Sequence, residues 1–220
     1  PNYFNHDCTC ARNVQHAALS IFGSGRKTFN YDYGNCKHLV LYGRNVFESL
    51  RVKQASIIMD MLDRGGKITY IDPRAAGTAM KATRYWPIRP GTDYALNLGI
   101  IHTVLRDKLY DGEFVRQWVL GLKELESFVI PYTPEWAAGE TGIPANEIVE
   151  FTHEIAADRP AVIFHPGWMM ARYSDSFYSI RTNYILNALM GAFETPGGLF
   201  FQKGPGDVGA KGLKSLLDTI

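Results

Sequence analysis

The stretch from Lys37 to Asp93 most constrains the fold. It places a short apolar run, Leu39–Tyr42, before Gly43, and a second, Lys67–Ile71, before Asp72, with a helix-length segment between them. Short apolar runs alternating with helical segments predict parallel βαβ units, an α/β arrangement of a parallel sheet with flanking helices. In such sheets ligands bind in the crevice at the carboxyl ends of the strands. Gly43, Asn45, Asp72, Arg74 and Asp93 all lie at or just past those ends. Glycine there lets a backbone approach a ligand closely, and a carboxylate accepts hydrogen bonds from a ribose or a base. No GxGxxG follows the first strand and no GxxxxGK[ST] occurs, so the usual dinucleotide and phosphate-loop fingerprints are absent. An ordinary set of turns without a ligand fits the same pattern.

The remaining periodicity predicts helices over Asn13–Phe22, Val46–Arg64 (with Gly65-Gly66 as its cap), Thr78–Thr83, Asp93–Leu109, Phe114–Leu120, Leu122–Ile130, a piece opening at Thr133-Pro134, Ala145–Asp158, and Tyr178–Ala192 closed by Pro196-Gly197-Gly198. Trp86-Pro87-Ile88 and Pro160–Phe164 read as further strands, the latter ending at His165-Pro166-Gly167. Residues 26–36 read as a tyrosine-rich connection, and Leu199–Ile220 as a glycine-rich, weakly helical tail.

The 220 residues carry a formal net charge of +1, which makes no electrostatic case for a nucleic-acid partner. No apolar run approaches membrane-spanning length. The chain starts at Pro1, and we expect it to be a fragment or a processed chain, so a missing leader says nothing about location. Three cysteines, Cys8, Cys10 and Cys36, are too few for a disulfide framework or a self-contained iron–sulfur site. Cys8 and Cys10 are closer than the CxxC spacing of redox and zinc motifs. Cys36, just before a strand, is expected in the core.

The segments NHDCTCARN, LVLYGRNVFES, YIDPRAAGTA, RPGTDYALNLG, TPEWAAGETGIPANEIVEFTHEIA, HPGWMMARY and LMGAFETPGG, in this order over nearly the whole chain, resemble an internal part of the molybdopterin oxidoreductases, the dimethyl sulfoxide reductase family. In look they are nearest the polysulfide and thiosulfate reductase type. The resemblance implies a Rossmann-like domain over residues 1–168 that binds a molybdopterin guanine dinucleotide, and a segment 169–220 returning to a neighbouring α/β domain. It implies part of a catalytic subunit holding bis-molybdopterin guanine dinucleotide with molybdenum or tungsten, not active alone. A 4Fe-4S cluster is expected elsewhere in the full subunit. An iron–sulfur electron-transfer subunit, a membrane anchor subunit, a small-molecule substrate and a periplasmic location are expected by the same resemblance. A sulfur compound such as polysulfide or thiosulfate is the first substrate expectation. Formate, arsenate or nitrate, or a non-catalytic scaffold like the related subunit of respiratory complex I, are the alternatives.

Carried onto this sequence, the resemblance makes Cys10 the metal ligand, a soft thiolate suited to such a centre, with Cys8 as its rival. His6 and Arg12 flank it, fit to bind an oxyanion or supply a proton, or else to sit as solvated side chains. Gly43, Asn45 and Glu48 fit the first cofactor turn, Asp72 and Arg74 the second, Gly91, Thr92 and Asp93 the third, and Gly167 and Trp168 the fourth. Asp93 would read base or ribose rather than pyrophosphate, because it is itself anionic. The alternative for each is turn chemistry or capping, as for a first-turn acid on the helix dipole. Arg172 and Arg181 are expected at the pterin or phosphate or on the surface. Tyr31, Tyr33, Tyr173 and Tyr178 line a substrate funnel or serve as half-buried packing residues.

Overall fold

Strand β2 (His38–Tyr42) is buried at every position, which requires cover on both faces. The computed structural model describes Cys10 and residues 12–23, 29–49 and 52–201. In it β2 lies inside a parallel sheet of order β4-β3-β2-β5, formed with β3 (Lys67–Ile71), β4 (Arg84–Trp86) and β5 (Val162–Pro166). Register runs from His38 opposite Lys67 and Val162 to Tyr42 opposite Ile71 and Pro166. From β2 the chain steps one way to β3 and β4, then returns to the other side of β2 as β5. Right-handed crossovers in opposite directions put helices on opposite faces. They also make the gap between the ends of β2 and β5 the topological switch point.

Helix α1 (Arg12–Phe22) precedes a small strand β1 (Phe29–Tyr31). The first crossover carries helix at α2 (Val46–Ser49) and α3 (Val52–Asp63), within the expected Val46–Arg64. Its predicted glycine cap forms. Gly65, at φ +86°, donates to Leu62 O at 2.9 Å, and Gly66 donates to Met61 O at 3.0 Å. The second crossover holds α4 (Asp93–Arg106), α5 (Gly112–Trp118), α6 (Leu122–Val129), α7 (Pro134–Thr141) and α8 (Ala145–Asp158). Thr133 Oγ1 caps α7 from Trp136 N at 3.3 Å, with Pro134 in the first turn as the sequence predicts. After β5 come a 3₁₀ turn, Met170–Arg172, then α9 (Ser176–Leu189) and β6 (Leu199–Phe201).

Several boundaries depart from expectation for identifiable reasons. Helix α4 stops at Arg106, not Leu109, because Lys108 takes φ +53° while Lys108 N and Leu109 N bond Leu105 O and Val104 O. Helix α9 stops at Leu189 because Gly191, at φ +68°, makes the same turn, so Pro196-Gly197-Gly198 is not its terminator. Asp111 caps α5 through Phe114 N at 2.9 Å, so that helix starts at Gly112 rather than Phe114. Pro87 has no N–H for a ladder, and β4 lies over Arg84–Trp86, ahead of the expected Trp86–Ile88. Strand β5 begins at Val162, two residues after the apolar run opens. Thr78–Thr83 is a series of turns, with Ala79 N on Ala76 O at 2.8 Å and Lys81 N on Thr78 O at 3.1 Å. Strands β1 and β6, read as connection and tail, form an antiparallel pair. The tail beyond Phe201 lies outside the described residues.

Helix α9 packs on α1, α4 and β5. Its buried Asn187 covers the outer edge of β5. Asn187 Oδ1 accepts from Phe164 N and Nδ2 donates to Phe164 O, both at 2.9 Å, in place of a further strand. Asn187→Leu keeps the volume but strands both backbone groups. We expect it to cost about 2 kcal/mol, read as a lowered thermal midpoint; an unchanged midpoint would mean that the edge finds other partners.

At the amino-terminal edge of the sheet, Lys67 Nζ lies 2.9 Å from Asp158 and 3.1 Å from Glu154, and Arg84 lies 2.8 Å from Glu154. His38 joins through Asp158 at 3.3 Å and Thr69 at 2.9 Å. The donors of His38, Glu154 and Asp158 are near enough together to suggest a metal site, but Lys67 and Arg84 already neutralise the carboxylates. Asp158 is held down to about 2, first by its hydrogen bond to His38. This network ties α8 to the sheet at the end away from the switch point.

Candidate functional site at the strand ends

The carboxyl edge of the sheet gathers the turns that the sequence singles out. Gly43 follows β2 at φ +55° and donates its N–H to Ile71 O at 2.8 Å, so the turn stays tied to β3. Asn45 and Glu48 do not point free into the crevice. Asn45 Oδ1 accepts from Thr78 N at 3.2 Å and Thr78 Oγ1 at 2.7 Å, while its Nδ2 donates to Glu48 at 2.5 Å. Glu48 Oε1 accepts from Gly77 N at 3.0 Å. Both side chains thus fasten the turn after β2 to the loop after β3.

Asp72, at the end of β3, accepts from Tyr70 OH and from Arg74 N, each at 2.8 Å. Arg74 is exposed. Across the crevice Gly91 (φ +83°), Thr92 and Asp93 open α4. The Thr92 hydroxyl turns back to Arg89 O at 2.8 Å and does not cap the helix. Asp93 is 7 % exposed, and no side chain among the described residues bonds its carboxylate. Burial, reinforced by the charge of Asp72, raises it to about 6.

At the switch point Gly167 lies so close to the end of β2 that a Cβ would collide with Tyr42 O and come within 2.8 Å of Gly43 C and O. Trp168 is exposed beside it, with the Arg44 guanidinium 5.8 Å from the ring centre. Tyr173 lies against Gly91, and Tyr178 against Tyr94 at 6.1 Å. Tyr31 lies tilted over His165 with ring centres 4.3 Å apart, and Tyr33 stacks beside it at 6.2 Å. Arg172 is exposed, and Arg181 lines a separate groove.

Cys10 is half-buried at the start of α1. Asn13 Nδ2 binds Ser176 Oγ at 2.5 Å, which brings this end of α1 to the start of α9 beside the Met170–Arg172 turn. The thiol therefore belongs to the same edge as the strand ends. Arg12 is exposed and donates to His16 at 3.1 Å. His6 and Cys8 lie outside the described residues. Cys36 is buried, as expected, and its thiol is pushed up to about 12 by burial.

Sequence reasoning missed Arg44 and His165. The available signal was position: Arg44 follows the glycine at the end of the first parallel strand, and His165 interrupts an apolar strand run just before its end. A separate concavity lies away from this edge. It is an apolar groove of about 1120 Å³ between α1, α4, α6 and α9, bordered by the exposed Trp118 and Leu120. It holds none of the strand-end groups, so its size does not make it the site. No helix among the described residues is long and apolar enough to cross a membrane.

A parallel sheet flanked by helices, with glycine and carboxylate turns gathered along its carboxyl edge, defines an open α/β domain of the ligand-binding kind. Comparison with known proteins identifies which. The molybdopterin oxidoreductase family model matches residues 2–213, and the chain belongs to that family. It is 34% identical over 203 residues to the thiosulfate reductase molybdopterin-containing subunit PhsA of Salmonella typhimurium, covering 92% of this chain and 26% of that one. It is 31% identical over 225 residues to the arsenate respiratory reductase subunit ArrA of Chrysiogenes arsenatis, covering 90% and 26%. The solved acetylene hydratase of Pelobacter acetylenicus superposes with a TM-score of 0.82 at 30% identity, over 91% of this chain and 27% of that one. The chain spans about a quarter of the length of these relatives. The family implies a molybdopterin cofactor with its metal. The residues present fit such a group: a buried carboxylate at Asp93 that no side chain among the described residues bonds, turns with positive φ at Gly43 and Gly91, and a half-buried thiol at the same edge.

Proposed function

We propose that this chain is the dinucleotide-binding portion of the catalytic subunit of a molybdenum or tungsten oxidoreductase. In this reading it holds a guanine dinucleotide form of the pterin at the strand ends. The observation that carries the reading is Asp93, buried without a side-chain partner among the described residues at the mouth of α4. A guanine presents N–H donors along one edge, and an ionised Asp93 supplies the matching acceptors. Asp72, fixed by Tyr70 OH and Arg74 N, offers further acceptors to ribose or base. Asn45 and Glu48 hold the turns around the ligand in register. The backbone at Gly43 and Gly91 allows close approach.

Cys10 is the proposed metal ligand, and His6 and Arg12 are the neighbours proposed to handle a proton or an oxyanion. The metal–pterin group supplies two-electron chemistry when bound. The chain's own task is to hold that group and to exclude water around the thiolate. A sulfur compound such as thiosulfate or polysulfide is the preferred substrate class, supported by the 34% identity to a thiosulfate reductase subunit. An arsenate-type substrate is the second reading, supported by the 31% identity to an arsenate reductase subunit. An iron–sulfur electron-transfer subunit, a membrane anchor and a periplasmic location go with either.

The test uses the full-length protein. Molybdenum and tungsten are measured by elemental analysis, and guanine nucleotide after acid release. About one metal and about two guanine nucleotides per chain are expected. Cys10→Ala should keep the nucleotide while metal X-ray absorption loses one sulfur neighbour. An unchanged sulfur shell would move the ligand to Cys8. Neither metal nor guanine, in protein made where the cofactor is available, would leave a scaffold subunit.

A further inference from the structure

Two nitrogen atoms at the switch point have no hydrogen-bond partner among the described residues: Arg44 Nε and His165 Nδ1, both buried. Arg44 follows the end of β2 through Gly43. His165 stands opposite Leu41 near the end of the neighbouring β5. The imidazole is 5 % exposed and covered by the rings of Tyr31 and Tyr33. Arg44 leans over Trp168 and is close enough to His165 and Tyr33 to act on the charge of both. The two nitrogens do not bond one another. No carboxylate among the described residues pairs with Arg44, although the residue is half-buried.

A buried, unpaired N–H costs free energy unless a ligand satisfies it, and a guanidinium without a counter-charge most favours an anion. The geometry points to Arg44 and His165 as a phosphoryl-oxyanion site at the gap between β2 and β5. Resting on the cofactor reading above, the occupant is the pyrophosphate bridge of the dinucleotide. A free oxyanion shares the same chemistry and is the other source to be distinguished. The arrangement divides the work. Acceptors on the β3 and α4 side, Asp72 and Asp93, suit N–H and hydroxyl donors, whereas the β2 and β5 side offers donors to negative charge. Burial and the nearby Arg44 charge keep His165 neutral, well below its ordinary value. With one ring nitrogen protonated, Nδ1–H is the tautomer that donates to an anion.

The experiment compares the full-length parent, Arg44→Met, Arg44→Lys and His165→Phe. Methionine keeps the apolar stem against Trp168 while removing the charge. Guanine nucleotide retained after gel filtration is measured first. Cofactor-free protein is then titrated calorimetrically with inorganic pyrophosphate and, separately, inorganic phosphate. Arg44→Met and His165→Phe should each weaken pyrophosphate binding about tenfold or more, and Arg44→Lys less, with nucleotide retention falling in parallel. Thermal midpoints near the parent's would separate this from misfolding. Parental pyrophosphate affinity and full nucleotide retention in Arg44→Met and His165→Phe would overturn the site. Arg44-dependent phosphate binding with full nucleotide retention would overturn the pyrophosphate assignment and leave a free-oxyanion site. A parent that holds no guanine nucleotide yet binds pyrophosphate through Arg44 would sink the cofactor reading while the anion site stands.

Discussion

Asp93→Asn is expected to make the cofactor-free full-length protein more stable at neutral pH and, in the same variant, to strip guanine nucleotide from the loaded form. Asp93 is buried and raised from 3.8 to about 6, first by desolvation and then by the charge of Asp72. The folded state therefore binds the proton more tightly than the unfolded state. Below the unfolded value the group carries no penalty. As pH rises from about 4 through about 6 stability is lost, and above that the full cost persists. A shift of this size corresponds to about 3 kcal/mol at neutral pH. Asparagine removes the titration and gives back about 0.5 kcal/mol of helix-dipole interaction at the first turn of α4. The thermal midpoint of the Asp93→Asn variant minus that of the parent should grow between about pH 4 and 6 and level off above. Nucleotide content should fall because an amide presents a single acceptor and adds donors facing donors. A variant less stable than the parent at neutral pH would mean that the carboxylate has a native partner beyond its own backbone N–H that outweighs the cost of burial. Unchanged nucleotide content would reduce Asp93 to a first-turn acid on α4.

The parallel sheet was legible because its central strands are continuous apolar runs bounded by Gly43 and Asp72, and the turns that gather at its edge were legible for the same reason. What escaped has physical causes. Helix ends were overrun where a lysine, Lys108, takes the left-handed turn usually given to glycine. The β1–β6 pair joins three-residue strands far apart in the chain, whose periodicity is too short to detect. Asn45 and Glu48 were assigned to the right turn, but spacing cannot reveal that their side chains close on Gly77 and Thr78. Arg44 and His165 belong to no spacing rule. Their significance lies in a missing partner, which is a property of the packed structure.

Gly167→Ala is expected to be the most damaging small substitution at this edge, costing on the order of 3–5 kcal/mol or preventing folding. Gly167 has no positive φ that would demand glycine; the constraint is space. Its added Cβ meets the Tyr42 carbonyl and the backbone of Gly43, atoms held in the sheet that have no rotamer to change. Relief requires the ends of β2 and β5 to part, and the switch point opens with them. Gly43 and Gly91 occupy comparable turns for different reasons. At Gly43 a Cβ would stand 2.9 Å from Met169 Cβ, and at Gly91 it would meet the edge of Tyr173 at 3.2 Å, a ring able to give way. Both also have positive φ, so alanine costs about 1–2 kcal/mol of backbone strain at either. The expected order of lost thermal stability in cofactor-free protein is thus Gly167→Ala, then Gly43→Ala, then Gly91→Ala. Nucleotide retention reads a different quantity. If a ligand passes close to the α4 mouth, Gly91→Ala loses nucleotide out of proportion to its small stability change. If Gly91 serves the turn alone, retention tracks stability across all three variants, and the close approach assigned to Gly91 fails.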